Sequence, residues 1–149
     1  MKTRLTALVA FSALLAAPAF AAGDAEAGAK VFNKCQTCHV VANEAGEVLA
    51  GKNAKTGPNL YGVVGRAAGT YPEFKYGDSI VALGATGYTW TEADIVTYVA
   101  DPAKFLEEKL GEKAKSKMSF KLKNETEAAD VAAFLATFSA APAEGEATN

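Results

Sequence analysis

The sequence predicts an all-α fold with one core, and three observations predict it. Capped segments of helical period lie near both ends, with apolar residues three and four apart between Phe32 and Phe138. The cysteine motif has neither the preceding strand nor the surrounding strand-helix-strand pattern of a redox dithiol domain. The 149 residues suffice for one compact domain but not for two ordinary cores.

The first residues stand apart from that domain. Lys2 and Arg4 precede an apolar run from Leu5 to Ala17, followed by Pro18 and Ala19-Phe20-Ala21, the order of a secretory signal cut after small residues. At about 13 residues the run is shorter than the roughly 20 that a membrane-crossing helix needs. Residues 1–21 are therefore read as a cleaved leader and residues 22–140 as the domain, with residues 141–149 as a disordered acidic tail. The expected destination is the periplasm, an oxidising compartment, and the expected product is a soluble monomer. Cleavage removes two bases and no acids, so a chain of net charge −2 becomes more acidic, which argues against nucleic acid as a partner.

Asp24 is placed to cap a first helix of about ten residues, with Gly28 and Phe32 on one face. The polar, glycine-containing stretch from Ala42 to Thr56 has no sustained period and is expected to be loop. Gly57 to Arg66 holds three glycines and a proline, poor material for helix or strand. A short helix with an irregular approach is expected between Tyr71 and Ala85. Thr89 with Glu92 reads as a capping box for a helix that ends before Asp101-Pro102. Pro102 opens another short helix ending near Gly111, and the lysine-rich run after it is expected to be extended and irregular. Asn124 with Glu127 repeats the capping pattern ahead of Val131, Phe134, Leu135 and Phe138, which places a last helix from about Thr126.

The strongest chemical signal is Cys35-Gln36-Thr37-Cys38-His39. Two thiols at this spacing can each form a thioether to a porphyrin vinyl group while the adjacent imidazole reaches the iron, which reads as attachment of haem c, one per chain. A closed zinc site needs four cysteine or histidine ligands, and the chain has three such residues in all. With a single histidine, the iron's other axial position falls to a different residue or stays open. Apart from Met1, Met118 is the only methionine, and its thioether can close that position. The alternative role of core gap-filler suits it poorly, since Ser116, Lys117 and Ser119 flank it. A saturated His39 and Met118 pair leaves electron transfer and no turnover of its own, so the chain is read as not an enzyme. Two other readings stay open: a haem enzyme or gas sensor with a free sixth site, and a cofactor-free disulfide protein. His39 also needs an acceptor for its other ring nitrogen, for which a carbonyl of the glycine-proline turn is a candidate.

Taken together, Cys35 to His39, GPNLYGVVGR from Gly57, the Trp90 to Tyr98 segment, KMSF around Met118 and the Phe134-Leu135 pair resemble the class I c-type cytochromes, most closely the bacterial cytochromes c2, over about Gly23 to Phe138. The resemblance implies a cytochrome c fold with crossing N- and C-terminal helices and three to five helices wrapped around one covalently bound haem. It implies that Pro58 offers its carbonyl to His39, that Arg66, Tyr76 and Trp90 approach the haem propionates, and that Tyr98 lies beside the Met118 sulfur. Gly28 and Phe32 would pack on Phe134 and Leu135. It also implies electron transfer from a membrane quinol-oxidising cytochrome bc complex to a photosynthetic reaction centre or terminal oxidase. The loop from Val41 to Lys55 and the acidic tail depart from the compact family pattern.

From Lys104 to Lys123 there are seven lysines and three glutamates, clustered around Met118 although the chain is acidic as a whole. Together with Lys34, Lys55 and Lys75, the residues Lys104, Lys115, Lys117, Lys121 and Lys123 are candidates for a basic docking face that steers acidic partners.

Overall fold

The computed structural model describes residues 23–139; the expected leader and acidic tail lie outside them. Helix α1 spans Ala25–Val31 and continues as a 3-10 turn, Phe32–Lys34, together the ten residues expected. Asp24 caps it, its carboxylate accepting from the amides of Glu26 and Ala27. Helices α2 (Asp78–Ala85), α3 (Glu92–Ala100), α4 (Pro102–Leu110) and α5 (Glu125–Ala136) follow, so the all-α reading and the upper end of the helix count hold.

Two local expectations need correction. The stretch read as loop carries an antiparallel hairpin of β1 (Val40–Ala42) and β2 (Val48–Gly51), pairing Val40 with Gly51 and Val41 with Ala50. Its turn is closed by the Asn43 side-chain oxygen, which accepts from the amides of Ala45 and Glu47. The strands are three and four residues long, too short to show an alternating pattern. The second correction concerns the start of α3, where the box is made by Thr91 and Asp94, two residues beyond the expected Thr89 and Glu92. Thr89 is committed elsewhere: it pairs in an isolated bridge with Ala67, and the flanking amides and carbonyls of Tyr88 and Trp90 bond to Ala68 and Arg66.

The frame is the crossing of α1 on α5, the most extensive helix pairing in the fold. A Cβ on Gly28 would lie 2.0 Å from the Asp130 carbonyl oxygen and 2.7 Å from the Phe134 Cβ, so the helices meet at a distance only glycine permits. Phe32 packs on Phe134 with ring centroids 5.6 Å apart. The Asp24 amide donates to Asp130 (2.8 Å), and Lys34 grips Glu127 through both carboxylate oxygens (2.6 and 2.7 Å). Asn124 caps α5 as expected, accepting from the Glu127 amide.

Proline at the first position of α4 and Asp101 as its cap explain why α3 stops where it does. Phe105 and Leu106 of α4 are fully buried, and Phe105 stacks on Trp90 at 5.5 Å. Around this cluster, Tyr88 and Lys109 converge on Asp94, at 2.5 and 3.4 Å. Burial alone would raise the Asp94 carboxyl, but hydrogen bonds from Thr91 and Tyr88, with Lys109 beside it, outweigh burial and hold it below its ordinary value. A carboxyl depressed in the folded state stabilises the fold above its unfolded pKa, and that contribution is lost as pH falls through the folded value. The acid limb of the stability curve, followed by circular dichroism below about pH 4, is therefore expected to flatten in Asp94→Asn.

Candidate functional site

One cavity of about 530 Å³ collects all nine residues singled out in the sequence: Cys35, Cys38, His39, Pro58, Arg66, Tyr76, Trp90, Tyr98 and Met118. Its volume is that of a cofactor pocket and its lining is mostly apolar.

The cysteine wall is shaped by a tight turn. The amides of Cys38 and His39 both bond to the Cys35 carbonyl (3.1 and 2.9 Å), which leaves Gln36 off the cavity and turns Cys35, Cys38 and His39 toward one space. The two sulfurs are not bonded to each other, so both are free to bond a group in the cavity. Burial, then the neighbouring Cys38, pushes the Cys35 thiol up to about 11 against a small pull from Lys34.

His39 Nδ1 lies 2.9 Å from the Pro58 carbonyl oxygen. A carbonyl only accepts, so Nδ1 carries the proton and Nε2 keeps a free lone pair. Burial holds the imidazole below its ordinary value, with the Pro58 bond opposing, so the ring is neutral at neutral pH. Behind it sits Gly57, where a Cβ would lie 2.4 Å from the imidazole Cε1; any side chain there would push the ring out of place. Pro58 was expected from the resemblance, whereas Gly57 stood in the sequence only as a turn glycine.

Arg66 lines the cavity and donates to the carbonyls of Tyr61 (3.1 Å) and Asn59 (3.0 Å). No carboxylate pairs with it among the described residues. Burial lowers its pKa, with Tyr76 and Tyr71 opposing, so the guanidinium sits in a place that an anionic group would compensate. Trp90, 7% exposed, and Tyr98 meet edge to face at 5.0 Å on another wall. Tyr98 reaches the Met118 segment through Ser116: its hydroxyl is 3.2 Å from the Ser116 Oγ, which accepts from the Met118 amide at 3.0 Å. Ser116 entered the sequence reading only as a polar neighbour, since nothing in its type or spacing marks a bridge.

The site thus offers two unpaired thiols, a neutral imidazole with an oriented lone pair, a thioether, an uncompensated cation and an apolar slot. This donor set fits a haem, with its vinyl groups, iron and propionates, and fits no bare metal ion, since no cluster of three classical ligands occurs among the described residues. Crossing terminal helices that close on such a slot define a class I c-type cytochrome.

No family model matches the chain. Known proteins do. The chain is 63% identical over 139 residues to the cytochrome c2 of Rhodobacter capsulatus, covering 92% of this chain and 98% of that one. It is 56% identical to the cytochrome c2 of Cereibacter sphaeroides, covering 91% and 95%. Among solved structures, cytochrome c2 of Rhodobacter capsulatus superposes with a TM-score of 0.73 at 63% identity (77% and 97% covered). That of Rhodobacter sphaeroides superposes with 0.77 at 56% identity (80% and 99% covered). The chain belongs to the cytochrome c2 family, and it is a mono-haem electron carrier with covalently bound haem c.

Proposed function

We propose that this cytochrome is a periplasmic shuttle that takes single electrons from a quinol-oxidising cytochrome bc complex and delivers them to a photosynthetic reaction centre or terminal oxidase. The observation that carries the reading is the placement of Met118, from the far end of the chain, in the same cavity as Cys35, Cys38 and His39. Haem c, when bound, supplies a one-electron iron couple. Cys35 and Cys38 would tether it, His39 Nε2 and the Met118 sulfur would ligate its iron, and Arg66, Tyr76 and Trp90 would receive its propionates. Two protein ligands leave no position for a substrate. The soft, neutral thioether and the apolar walls disfavour the extra positive charge of the oxidised state and raise the potential.

Export through residues 1–21 and a domain of residues 22–140 complete the proposal. Among the described residues no helix is long and apolar enough to cross a membrane.

Docking is assigned to the lysines at the cavity. Lys34, Lys115 and Lys117 line it, Lys55 adjoins its Thr56 wall, and Lys117 reaches the Lys75 carbonyl at 2.7 Å. Lys34, Lys121 and Lys104 are drawn into pairs with Glu127, Asp101 and Glu108 and contribute less free charge. A basic rim gives fast, salt-sensitive encounter and quick release. Lys115→Glu is expected to slow the second-order reduction of the protein by isolated cytochrome bc complex about tenfold at low ionic strength, the difference fading as salt rises. Rates indifferent to both salt and this substitution would overturn the docking assignment.

A further inference from the structure

The Met118 segment has little structure of its own. From Glu112 to Asn124 the chain forms neither helix nor strand. Between Lys115 and Lys121, two backbone amides make hydrogen bonds among the described residues. The Met118 amide bonds within the segment to Ser116 Oγ, and the Lys115 amide donates to the Ser79 Oγ at 3.0 Å. Only the second reaches another element. Ser79 is the second residue of α2, whose approach carries the cavity residue Tyr76 and whose next residue, Ile80, also lines the cavity. The bond therefore joins two walls of the haem site. Beside it runs a cleft of about 450 Å³ lined by Gly77, Asp78, Ser79, Lys113, Lys115 and Lys117, so the seam between the two walls is open to water rather than packed. Two hydrogen bonds cross the seam, the Lys115 amide to Ser79 Oγ and the Lys117 ammonium to the Lys75 carbonyl (2.7 Å); the first alone fixes the segment's backbone and so carries a large share of its closure.

We infer that Ser79 is a positioning residue for Met118: its hydroxyl clasps the ligand-bearing segment to α2 and sets how often the Met118 sulfur leaves the iron. The inference rests on Met118 being the axial ligand. Opening of the segment exposes the sixth position to any small ligand, and the apparent affinity for that ligand scales with the open fraction.

The test uses the intact haem-loaded protein and imidazole as the probe. In Ser79→Ala the affinity of the ferric protein for imidazole is expected to rise about fivefold, the population change that loss of one ordinary hydrogen bond produces. The weak near-infrared band of sulfur-bound ferric iron is expected to persist before imidazole is added. Ser79→Thr, which keeps the hydroxyl, restores the original affinity. Val81→Ala, on the same helix with its side chain 49% exposed and away from the cavity, leaves affinity unchanged and so separates the clasp from general weakening of α2. Unchanged affinity in Ser79→Ala, or an equal rise in Val81→Ala, would overturn the role of Ser79. A wild-type protein that lacks the near-infrared band would instead overturn the Met118 ligation beneath it, and the clasp with it.

Discussion

Met118→Leu is expected to lower the reduction potential by on the order of a hundred millivolts, a modest part of the ~0.8 V over which axial ligands tune haem iron. Leucine keeps an apolar side chain of similar volume in a half-buried position, so the fold and the covalent attachment at Cys35 and Cys38 survive the change. What disappears is the sulfur. A soft, neutral donor stabilises the reduced iron relative to the oxidised, and without it that preference is lost. An open sixth position also becomes reachable, so the reduced variant is expected to bind carbon monoxide where the wild type does not. Potentiometric titration checks the first effect and a carbon monoxide difference spectrum the second. An unchanged potential would remove Met118 from the ligand set.

The largest loss of stability is expected from Gly28→Leu. The first atom of any side chain at this position already falls 2.0 Å from a backbone oxygen of α5 and 2.7 Å from the Phe134 Cβ. The obstruction is backbone, which cannot rotate away, so α1 and α5 must separate. Separation would loosen the Phe32 and Phe134 contact, the Asp24 to Asp130 bond and the Lys34 to Glu127 pair at once. A cost of at least about 3 kcal/mol follows, at the upper end for overpacked cores. For a domain of this size that corresponds to a fall in Tm of roughly 10 °C. Thermal unfolding of the haem-loaded variant measures it, and a Tm within a degree or two of wild type would show that the crossing is not the frame of the fold.

Much of this architecture was legible because local chemistry and tertiary need coincide. Asp24, Asn124 and Pro102 mark helix starts whatever surrounds them, and the first and last helices follow from their caps and apolar spacing. Thr91 and Asp94 show the opposite case. Two threonines, Thr89 and Thr91, each have an acid three residues on, and the choice is made by the backbone pairing of Thr89 with Ala67, a contact invisible in sequence. The hairpin at Val40–Gly51 leaves no period in the sequence because its strands are short and do not alternate: Val40 and Val41 are both buried, and Val48 and Leu49 both exposed, 42% and 41%.

In the site, residues with a distinctive chemical role stood out: thiols at fixed spacing, the single histidine, the single internal methionine. Pro58, Arg66, Tyr76, Trp90 and Tyr98 came from family resemblance, and the fold gathers them into the same cavity. Residues that act by shape or by relay did not stand out. Gly57 matters through the atom it lacks behind His39, and Ser116 and Ser79 through bonds to partners 18 and 36 residues away. Serine and glycine are common in any irregular segment, so neither type nor spacing distinguishes these positions from filler.

A haem held by Cys35 and Cys38, with its iron ligated by His39 and Met118, is the proposed centre of this protein's function. The most direct test is the absorption spectrum of protein matured in a host that attaches c-type haem, recorded oxidised and reduced and extended into the near infrared. Sharp reduced peaks together with the weak sulfur-to-iron band of the ferric form are expected. Haem without that band would contradict the Met118 assignment, and a colourless protein would contradict the whole site.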